Sequence, residues 1–205
     1  MKRLYLIKTN LYLPNNISIV GSSLNILKKK YGKQIDKSKF IVRFNFAKTK
    51  GFEKHTGSQT DMMVINNNAY NILKSNKDNL KNIKNYLVIS PFKTEKFKSN
   101  LNLHFFEKKK NQYFLTFKFL KYFDIFFSLL VILIKRKTFS VGFCFIILCI
   151  LSDIKSDIYG FDLDEDMLKR KHYYKRLKIG NVHDLVSEHR ILKKLKNHDL
   201  INFHY

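Results

Sequence analysis

Two features of this 205-residue chain combine residue types and spacing suited to chemistry, and the first is a glycine–serine turn. The apolar run Ile17–Val20 ends abruptly at Gly21–Ser23, and helical spacing follows over Leu24–Tyr31. A strand that breaks at glycine before a helix suits phosphate, because glycine lets an anion approach the backbone and the helix start presents free N–H groups. Many α/β proteins use such a turn only to change chain direction, so the turn alone leaves both interpretations open.

The second feature is a histidine placed immediately before a helical segment. His183 precedes Asp184–Lys196, whose apolar residues recur at helical spacing. Imidazole has an unperturbed pKa of about 6.5, so it is the natural base near neutral pH. A helix N-terminus disfavours the imidazolium and keeps the ring able to accept a proton. Glu188, on the second turn, can orient neighbouring groups. Without other motifs, the pair is better explained as a helix-start residue and a surface charge.

Both features need elements that hold them in place, and the hydrophobic pattern predicts such elements. Short apolar runs predict strands at Ile17–Val20, Phe40–Asn45, Asp61–Asn66, Tyr86–Ser90 and Asp157–Phe161. Longer segments predict helices at Leu24–Tyr31, Phe114–Ile134, Gly142–Ser152 and Asp184–Lys196. This alternation indicates an α/β fold with a mostly parallel sheet flanked by helices on both faces. Ligands of such sheets bind beyond the carboxyl ends of the strands.

Composition predicts one domain over residues 1–205 and an anionic partner. The length and the 45% hydrophobic content suit a single core, and the formal net charge is +23. Such a charge favours nucleic acid, acidic lipid, phosphorylated glycan or a nucleotide-linked substrate. The chain is also rich in Asn, Ile, Phe and Tyr, as an AT-rich genome would encode. Much of the charge is therefore equally well explained as solvated surface.

Cysteine usage and hydropathy predict a cytoplasmic protein. Cys144 and Cys149 lie five apart in one apolar run, which places them on different sides of a helix and argues against a disulfide. Polar residues 8–10 interrupt the N-terminal apolar stretch, so no signal peptide is expected. The most apolar run, Tyr122–Ile134, falls short of the roughly 20 residues that cross a bilayer. No transmembrane helix is therefore expected.

Several short matches to one known sequence motif fall in a single register between residues 20 and 61. They are Val20-Gly21-Ser22-Ser23, Tyr31-Gly32, Ile35-Asp36, Phe40–Asn45, Lys50–Glu53 and Gly57–Asp61. This stretch resembles the large sialylmotif of the eukaryotic-type sialyltransferases, glycosyltransferase family 29.

Three further motifs follow in the order of that family. Ser140 and Gly142 before an apolar helix, together with Asp157–Phe161, resemble the small sialylmotif. His172-Tyr173-Tyr174 resembles the third motif, and His183 with Glu188 resembles the very small one. The ordered set identifies the chain as a short, bacterial-like member of the family.

The resemblance implies a single Rossmann-like domain, a variant of the GT-A fold, and an inverting transfer reaction. The donor would be CMP-sialic acid or a related CMP-linked nonulosonic acid, and the acceptor a hydroxyl of a glycan or glycolipid. His183 would act as the base, and His172 would contact the leaving phosphate. Tyr173 and Glu188 would support them. The family works without a metal, so no cofactor is expected.

The resemblance also implies a set of donor-binding residues: Gly21, Ser22, Ser23, Asn45, Ser140, Val141, Gly142 and Gly160. Taken alone, Asn45 is equally well a strand-ending asparagine, and Ser140 a helix cap. Ser22 stands where the family usually has asparagine, and Val141 lacks a hydroxyl usual there. Ile17 and Ser152 occupy the neighbourhoods of cysteines that are joined in Golgi members, and Lys175 replaces a common acidic residue. These departures leave the identity of the donor open.

Several features of the sequence also suit other interpretations. Asp162–Asp166 looks like a metal-binding D-x-D signature, but it is as readily a solvated acidic turn, and we expect no metal there. The aromatic segment Phe114–Ile134, with basic flanks, suggests peripheral contact with an anionic inner membrane surface. The net charge and the aromatic content also suit a nucleic-acid-binding module, although we expect no specific nucleic-acid partner. Ser22 and Val141 would also suit a non-catalytic nucleotide-sugar-binding relative.

Overall fold

The structure, a computed structural model, describes residues 2–3, 12–75, 85–89, 112–114, 139–162, 172–174, 185–197, 199 and 201–204. Its strands are β1 (Lys2–Arg3), β2 (Tyr12–Leu13), β3 (Asn16–Val20), β4 (Ile41–Phe44), β5 (Met62–Ile65), β6 (Asn85–Val88), β7 (Gln112–Phe114), β8 (Lys155–Tyr159) and β9 (Asn202–His204). β1 and β2 form an antiparallel pair. The other seven strands form one parallel sheet in the order β7-β6-β5-β4-β3-β8-β9.

Helices cover both faces of the parallel sheet. A 3-10 helix (Leu24–Lys28), α1 (Gly32–Asp36), α2 (Glu53–Thr56) and α3 (Asn67–Ser75) follow β3, β4 and β5 along the chain. The remaining described helices are α4 (Val141–Leu151) and α5 (Leu185–Asn197). Ile26 and Ile35 pack with Val20 on the first face, whereas Phe143 and Leu192 pack with the residues of the main core on the other.

Strand side chains alternate between the two faces, and this alternation explains the apolar runs in the sequence. Ile17 and Ile19 of β3 lie in the main core with α4, and Val20 faces the smaller cluster on the opposite side. All four residues of β4 and of β5 are buried, as expected for central parallel strands with helices on both sides. The sheet aligns the carboxyl ends of β3, β4 and β8, and the candidate residues Gly21–Ser23, Asn45 and Gly160 follow these ends.

The predicted α/β class with a mostly parallel sheet is confirmed, and so are the five predicted strands, with ends shifted by one or two residues. The predicted helix Leu24–Tyr31 is a 3-10 helix that ends at Lys28. The prediction that a helix begins at Phe114 is wrong, because Phe114 is the last residue of β7. Residues 115–134 of that segment lie outside the described residues. The extent of the domain, residues 1–205, stays a prediction.

The two cysteines are free, as predicted from their spacing on α4. Burial raises the pKa of both thiols, which keeps them protonated and unreactive. Within the described ranges, no helix is both long enough and apolar enough to span a bilayer.

Buried tyrosines should make the fold sensitive to alkali. Burial raises the pKa of Tyr86, Tyr159 and Tyr173 to about 12, from an ordinary value of 10.0. The neutral phenol is thus favoured in the folded state. The contribution of these rings to the free energy of unfolding is fully present below about pH 10 and is lost as the pH rises toward 12. We expect each ring to cost up to about 3 kcal/mol of unfolding free energy across that range. Urea unfolding at stepwise higher pH measures it.

Tyr86 offers the control, because its hydroxyl is buried without a hydrogen-bond partner in the described part of the chain. Tyr86→Phe should leave stability at neutral pH unchanged or slightly higher and should reduce the alkaline loss. An unchanged pH dependence in this variant would show that the buried hydroxyl does not titrate in this range.

Candidate active site

The turn after β3 is locked to the turn after β8. The Gly21 N–H donates to the Tyr159 carbonyl at 2.7 Å, and the Ser23 N–H donates to the Gly160 carbonyl at 2.9 Å. Gly160 has a φ of 67°, a conformation that favours glycine. A Cβ on Gly21 would overlap the Gly160 carbonyl oxygen, so glycine is needed here for close backbone approach.

This geometry corrects the phosphate argument drawn from the turn. Two of its three backbone N–H groups, those of Gly21 and Ser23, already donate to carbonyls of the β8 turn. The Ser23 side chain caps the 3-10 helix by accepting from the Asn25 N–H at 3.3 Å. The turn therefore does not offer a row of free N–H groups to an anion. What it presents at Ser22 is a half-buried hydroxyl side chain.

Phe161 joins the small-motif helix to this turn. Its ring would lie 2.7 Å from a Cβ built on Gly21 and 2.9 Å from one built on Gly142, so both glycines make room for it. The same ring meets Phe44 edge-on at a centroid distance of 5.9 Å. The turn after β3, the start of α4 and the end of β4 thus converge on one aromatic ring. Phe161 belongs to the small-motif match but is not among the predicted site residues; the available signal was an aromatic residue directly after a strand-ending glycine.

The third motif lies against the first. Ser23 and His172 form an antiparallel backbone bridge, and the Tyr173 N–H donates to the Ser22 carbonyl at 3.1 Å. The Tyr173 hydroxyl donates to the Lys48 carbonyl at 2.5 Å. These bonds hold the backbone of His172 beside the glycine–serine turn, although about 150 residues separate the two in the sequence. Burial raises the pKa of Tyr173 to about 12, so its hydroxyl stays a hydrogen-bond donor into the alkaline range.

Arg43 organises the segment that leads into β5, and it too belongs to a motif match without being among the predicted site residues. Its side chain is fully buried on β4. Nε donates to the Gln59 carbonyl at 3.0 Å, and Nη2 donates to the Thr56 carbonyl at 2.7 Å. Burial lowers the pKa of Arg43, while nearby Tyr173 and Asp36 raise it. A cation inside an otherwise apolar strand was the sequence signal for this role.

The small and very small motifs meet through a buried carboxylate. Glu188 on α5 is 3% exposed. It accepts a hydrogen bond from the Ser140 N–H and another from the Ser140 hydroxyl, the latter at 2.6 Å. Ser140 in turn caps α4, accepting from the Phe143 N–H at 3.2 Å. The neighbouring group that Glu188 contacts is thus Ser140, and an orienting role for Glu188 stays a prediction.

Two predicted donor-binding side chains have structural partners of their own. Asn45 adopts a φ of 51°, and its side-chain oxygen accepts from the Asn66 N–H at 3.1 Å, which ties the end of β4 to the end of β5. Val141 is 5% exposed and lies in the main core. Any contact of Val141 with a ligand would therefore use its backbone.

The remaining predicted residues divide between described and undescribed parts of the chain. His183 and residues 163–166 of the acidic run lie outside the described residues. Leu185, where α5 begins, follows His183 by two positions. Among the residues described, no three His, Cys, Asp or Glu side chains form a group that could hold a metal ion.

The arrangement has the elements of a phosphate-handling site. The first N–H groups of an α-helix have no intrahelical partner and carry partial positive charge. At the 11-residue helix α4 these groups belong to Val141 and Gly142, next to Phe161 and the β3 turn. His172 lies at the same turn through its bridge to Ser23. A helix start near the carboxyl ends of parallel strands can stabilise a phosphate group.

Comparison with known proteins gives a consistent result. A model of glycosyltransferase family 29 (sialyltransferase) matches residues 15–200. A β-1,6-galactosyltransferase of Arabidopsis thaliana is 45% identical over 51 residues, which are 25% of this chain and 13% of that protein. A CMP-N-acetylneuraminate-β-galactosamide-α-2,3-sialyltransferase of Gallus gallus is 32% identical over 77 residues, 38% of this chain and 20% of that one. The matched stretch is thus about a fifth or less of either relative's length.

Solved structures support the fold. The crystal structure of a mammalian sialyltransferase superposes with a TM-score of 0.63 at 24% identity, covering 92% of this chain and 68% of the other. The Campylobacter jejuni sialyltransferase CstII, solved with a substrate analogue, superposes with a TM-score of 0.53 at 15% identity and covers 92% and 84% of the two chains. The predicted fold type is therefore confirmed.

Proposed function

Because this chain belongs to glycosyltransferase family 29, the sialyltransferase family, we propose that it transfers sialic acid from a CMP-activated donor to a glycan or glycolipid hydroxyl. A related nonulosonic acid would serve equally as the transferred sugar. The observation that carries the proposal is the convergence of the motifs. Ser23 bridges to His172, Glu188 holds Ser140, and Phe161 packs where Gly21 and Gly142 make room for it.

The proposed reaction is a single displacement at the anomeric carbon. The acceptor oxygen forms a bond to this carbon while the bond from the carbon to the CMP phosphate oxygen breaks, which inverts the configuration. His183 takes the proton that the acceptor hydroxyl loses, and CMP departs with the electron pair of the broken bond. His172 and the first turn of α4 donate hydrogen bonds to the phosphate as its negative charge grows.

Metal independence is part of the proposal. A departing phosphate needs positive partners, and the chain offers the start of α4 and the His172 imidazole for that role. Of the acidic run Asp162–Asp166, Asp162 is a half-buried residue. We propose that the run binds no catalytic metal and that chelation of divalent metal leaves the transfer rate unchanged.

A second donor is a specific alternative, because one relative is named as a galactosyltransferase. Ser22 stands in the turn where the family usually has asparagine. Donor preference would therefore differ at this position. A galactosyl donor would enter the same cleft, with the same demand for a base and for phosphate donors.

The test offers purified protein CMP-sialic acid or a nucleotide-activated galactose, each with a panel of galactosides and with chelator present. Release of CMP, dependent on acceptor, supports the sialyl-transfer proposal. Turnover of the galactosyl donor alone would show that the protein is a galactosyltransferase. Binding of CMP without turnover would indicate a non-catalytic relative. If the protein binds RNA in a salt-dependent manner and does not bind CMP, both transfer proposals are wrong and the function is nucleic-acid binding.

Ser22→Asn should strengthen donor binding if the donor is the usual one of the family. The amide side chain is longer than the hydroxymethyl group and would be able to donate a hydrogen bond to the nucleotide directly. One added hydrogen bond, worth about 1 kcal/mol, predicts a KM for CMP-sialic acid that is lower by about fivefold. Steady-state kinetics measure it, with Ser22→Ala as the control that removes the hydroxyl without adding a donor. A higher KM for Ser22→Asn would mean that serine suits a different donor.

We also propose a cytoplasmic location. Two free thiols on one helix suit a reducing compartment.

A further inference from the structure

The first helices of the chain carry a dense group of cations outside the active site. Residues 28–54 contain nine lysines, and all nine are exposed. They lie on the 3-10 helix, on α1, on α2 and on the adjoining turns, and we call this group the lysine face. It follows β3 and β4 on the side of the sheet opposite to α4 and α5.

Tertiary contacts bring the parts of the lysine face together. Gly32 lies against the backbone of α2, where a Cβ at this position would be 2.8 Å from the Lys54 carbonyl oxygen. His55 Nδ1 lies 2.6 Å from the Lys29 carbonyl oxygen. The exposed Lys29, Lys33 and Lys54 therefore lie on segments that contact one another.

Few anionic groups offset this charge. The same stretch contains two carboxylates, Asp36 and Glu53. Asp36 accepts from the Ser58 N–H at 2.9 Å, and Glu53 accepts from the Gly51 N–H at 3.0 Å. Nine lysines against two carboxylates leave the lysine face with a strong positive field.

The residue types on this face favour lipid over nucleic acid. The one arginine of the stretch, Arg43, is buried, and Tyr31 and Phe52 are half-buried in the cluster beneath. Nucleic-acid sites rely on arginine forks and on exposed aromatic rings for stacking. Lysines without either act as point charges, which suit the diffuse potential of an anionic leaflet.

The lysine face borders the candidate active site. Ser23 of the β3 turn caps the 3-10 helix from which the face begins, and the Lys48 carbonyl accepts the Tyr173 hydroxyl. Leu24, directly after the turn, is 39% exposed and adds an apolar contact at the edge. We propose that the lysine face docks the protein on an anionic lipid membrane. Resting on the proposed function, this docking would bring the cleft to a lipid-linked acceptor.

Vesicle binding tests the docking without requiring turnover. The full chain is floated with phosphatidylcholine vesicles that contain or lack phosphatidylglycerol, at low and high salt. Each lysine near an anionic surface contributes about 1 kcal/mol, so Lys29→Gln/Lys33→Gln/Lys54→Gln should weaken binding by about 100-fold. The control Lys155→Gln/Lys193→Gln/Lys196→Gln removes the same charge from β8 and α5 and should weaken it by less than about tenfold.

Transfer to a soluble galactoside separates this inference from the proposed function. The variant of the lysine face should retain that activity, because its three side chains lie outside the proposed machinery. Equal loss of vesicle binding in the two triple variants would overturn the docking surface and indicate net charge alone. Absence of binding to phosphatidylglycerol, or tighter binding to double-stranded RNA than to vesicles, would overturn it too. If the protein binds vesicles but has no transfer activity, the docking surface is supported and only the proposed function is overturned.

Discussion

His183→Ala should lower the rate of sialyl transfer by about 10²–10⁴-fold, the usual contribution of a general base. The acceptor hydroxyl must lose its proton as it attacks. Without this imidazole, water would have to accept the proton, and water is a much weaker base. His183 precedes α5, and Glu188 of the same helix holds Ser140 at the start of α4. The α5 helix thus joins the residue proposed as base to the helix proposed to receive the phosphate. Initial rates of CMP release measure the effect.

Binding of CMP provides the control for the histidine variant, because the base is proposed to act on the acceptor. CMP affinity should stay within about twofold of wild type, a difference well below 1 kcal/mol. His55→Ala, a histidine whose ring contacts the Lys29 carbonyl, should retain full activity. Equal CMP release by wild type and His183→Ala would show that another group is the base.

Glu188→Ala should cause the largest loss of stability at the site. The variant leaves the Ser140 N–H and hydroxyl without the buried carboxylate that accepts from both. Hydrogen bonds to a charged group are worth about 1.5–3 kcal/mol, so we expect the free energy of unfolding to fall by about 3 kcal/mol. Transfer should fall with it, because the start of α4 is no longer oriented. Chemical denaturation and CMP-release kinetics measure the two effects.

Two further variants separate orientation from overall stability. Glu188→Gln keeps one acceptor oxygen and should lose less stability than Glu188→Ala. Ser140→Ala keeps its N–H bond to Glu188 but loses the hydroxyl and the helix cap, a change worth about 1–2 kcal/mol. If Ser140 and Glu188 act as a unit, the double variant Ser140→Ala/Glu188→Gln loses less than the sum of the two single variants. Strict additivity would mean that the pairing contributes little.

The positions of five strands and the class of fold were predictable, because burial on both faces imposes continuous apolar runs on parallel strands. β3, β4, β5, β6 and β8 carry such runs and were predicted within two residues. β7 and β9 were not predicted, since three residues are too few to show a period. The predicted helix includes Phe114 because apolar residues follow it. In the structure Phe114 belongs to β7, which pairs with β6. This pairing uses backbone hydrogen bonds, which do not depend on side-chain type and so cannot be seen in the sequence.

The sequence by itself determined which residue types are available to the site and in what order, since motif spacing is a property of the chain. It also determined that Gly21, Ser140, Gly160 and Glu188 belong to candidate motifs. Only the tertiary structure decided what these residues contact. It showed that the Gly21 and Ser23 N–H groups are occupied, that Phe161 fills the space left by two glycines, and that Glu188 reaches Ser140. The physical reason is that hydrogen-bond partners and close contacts depend on distances in space between segments that lie far apart in the sequence.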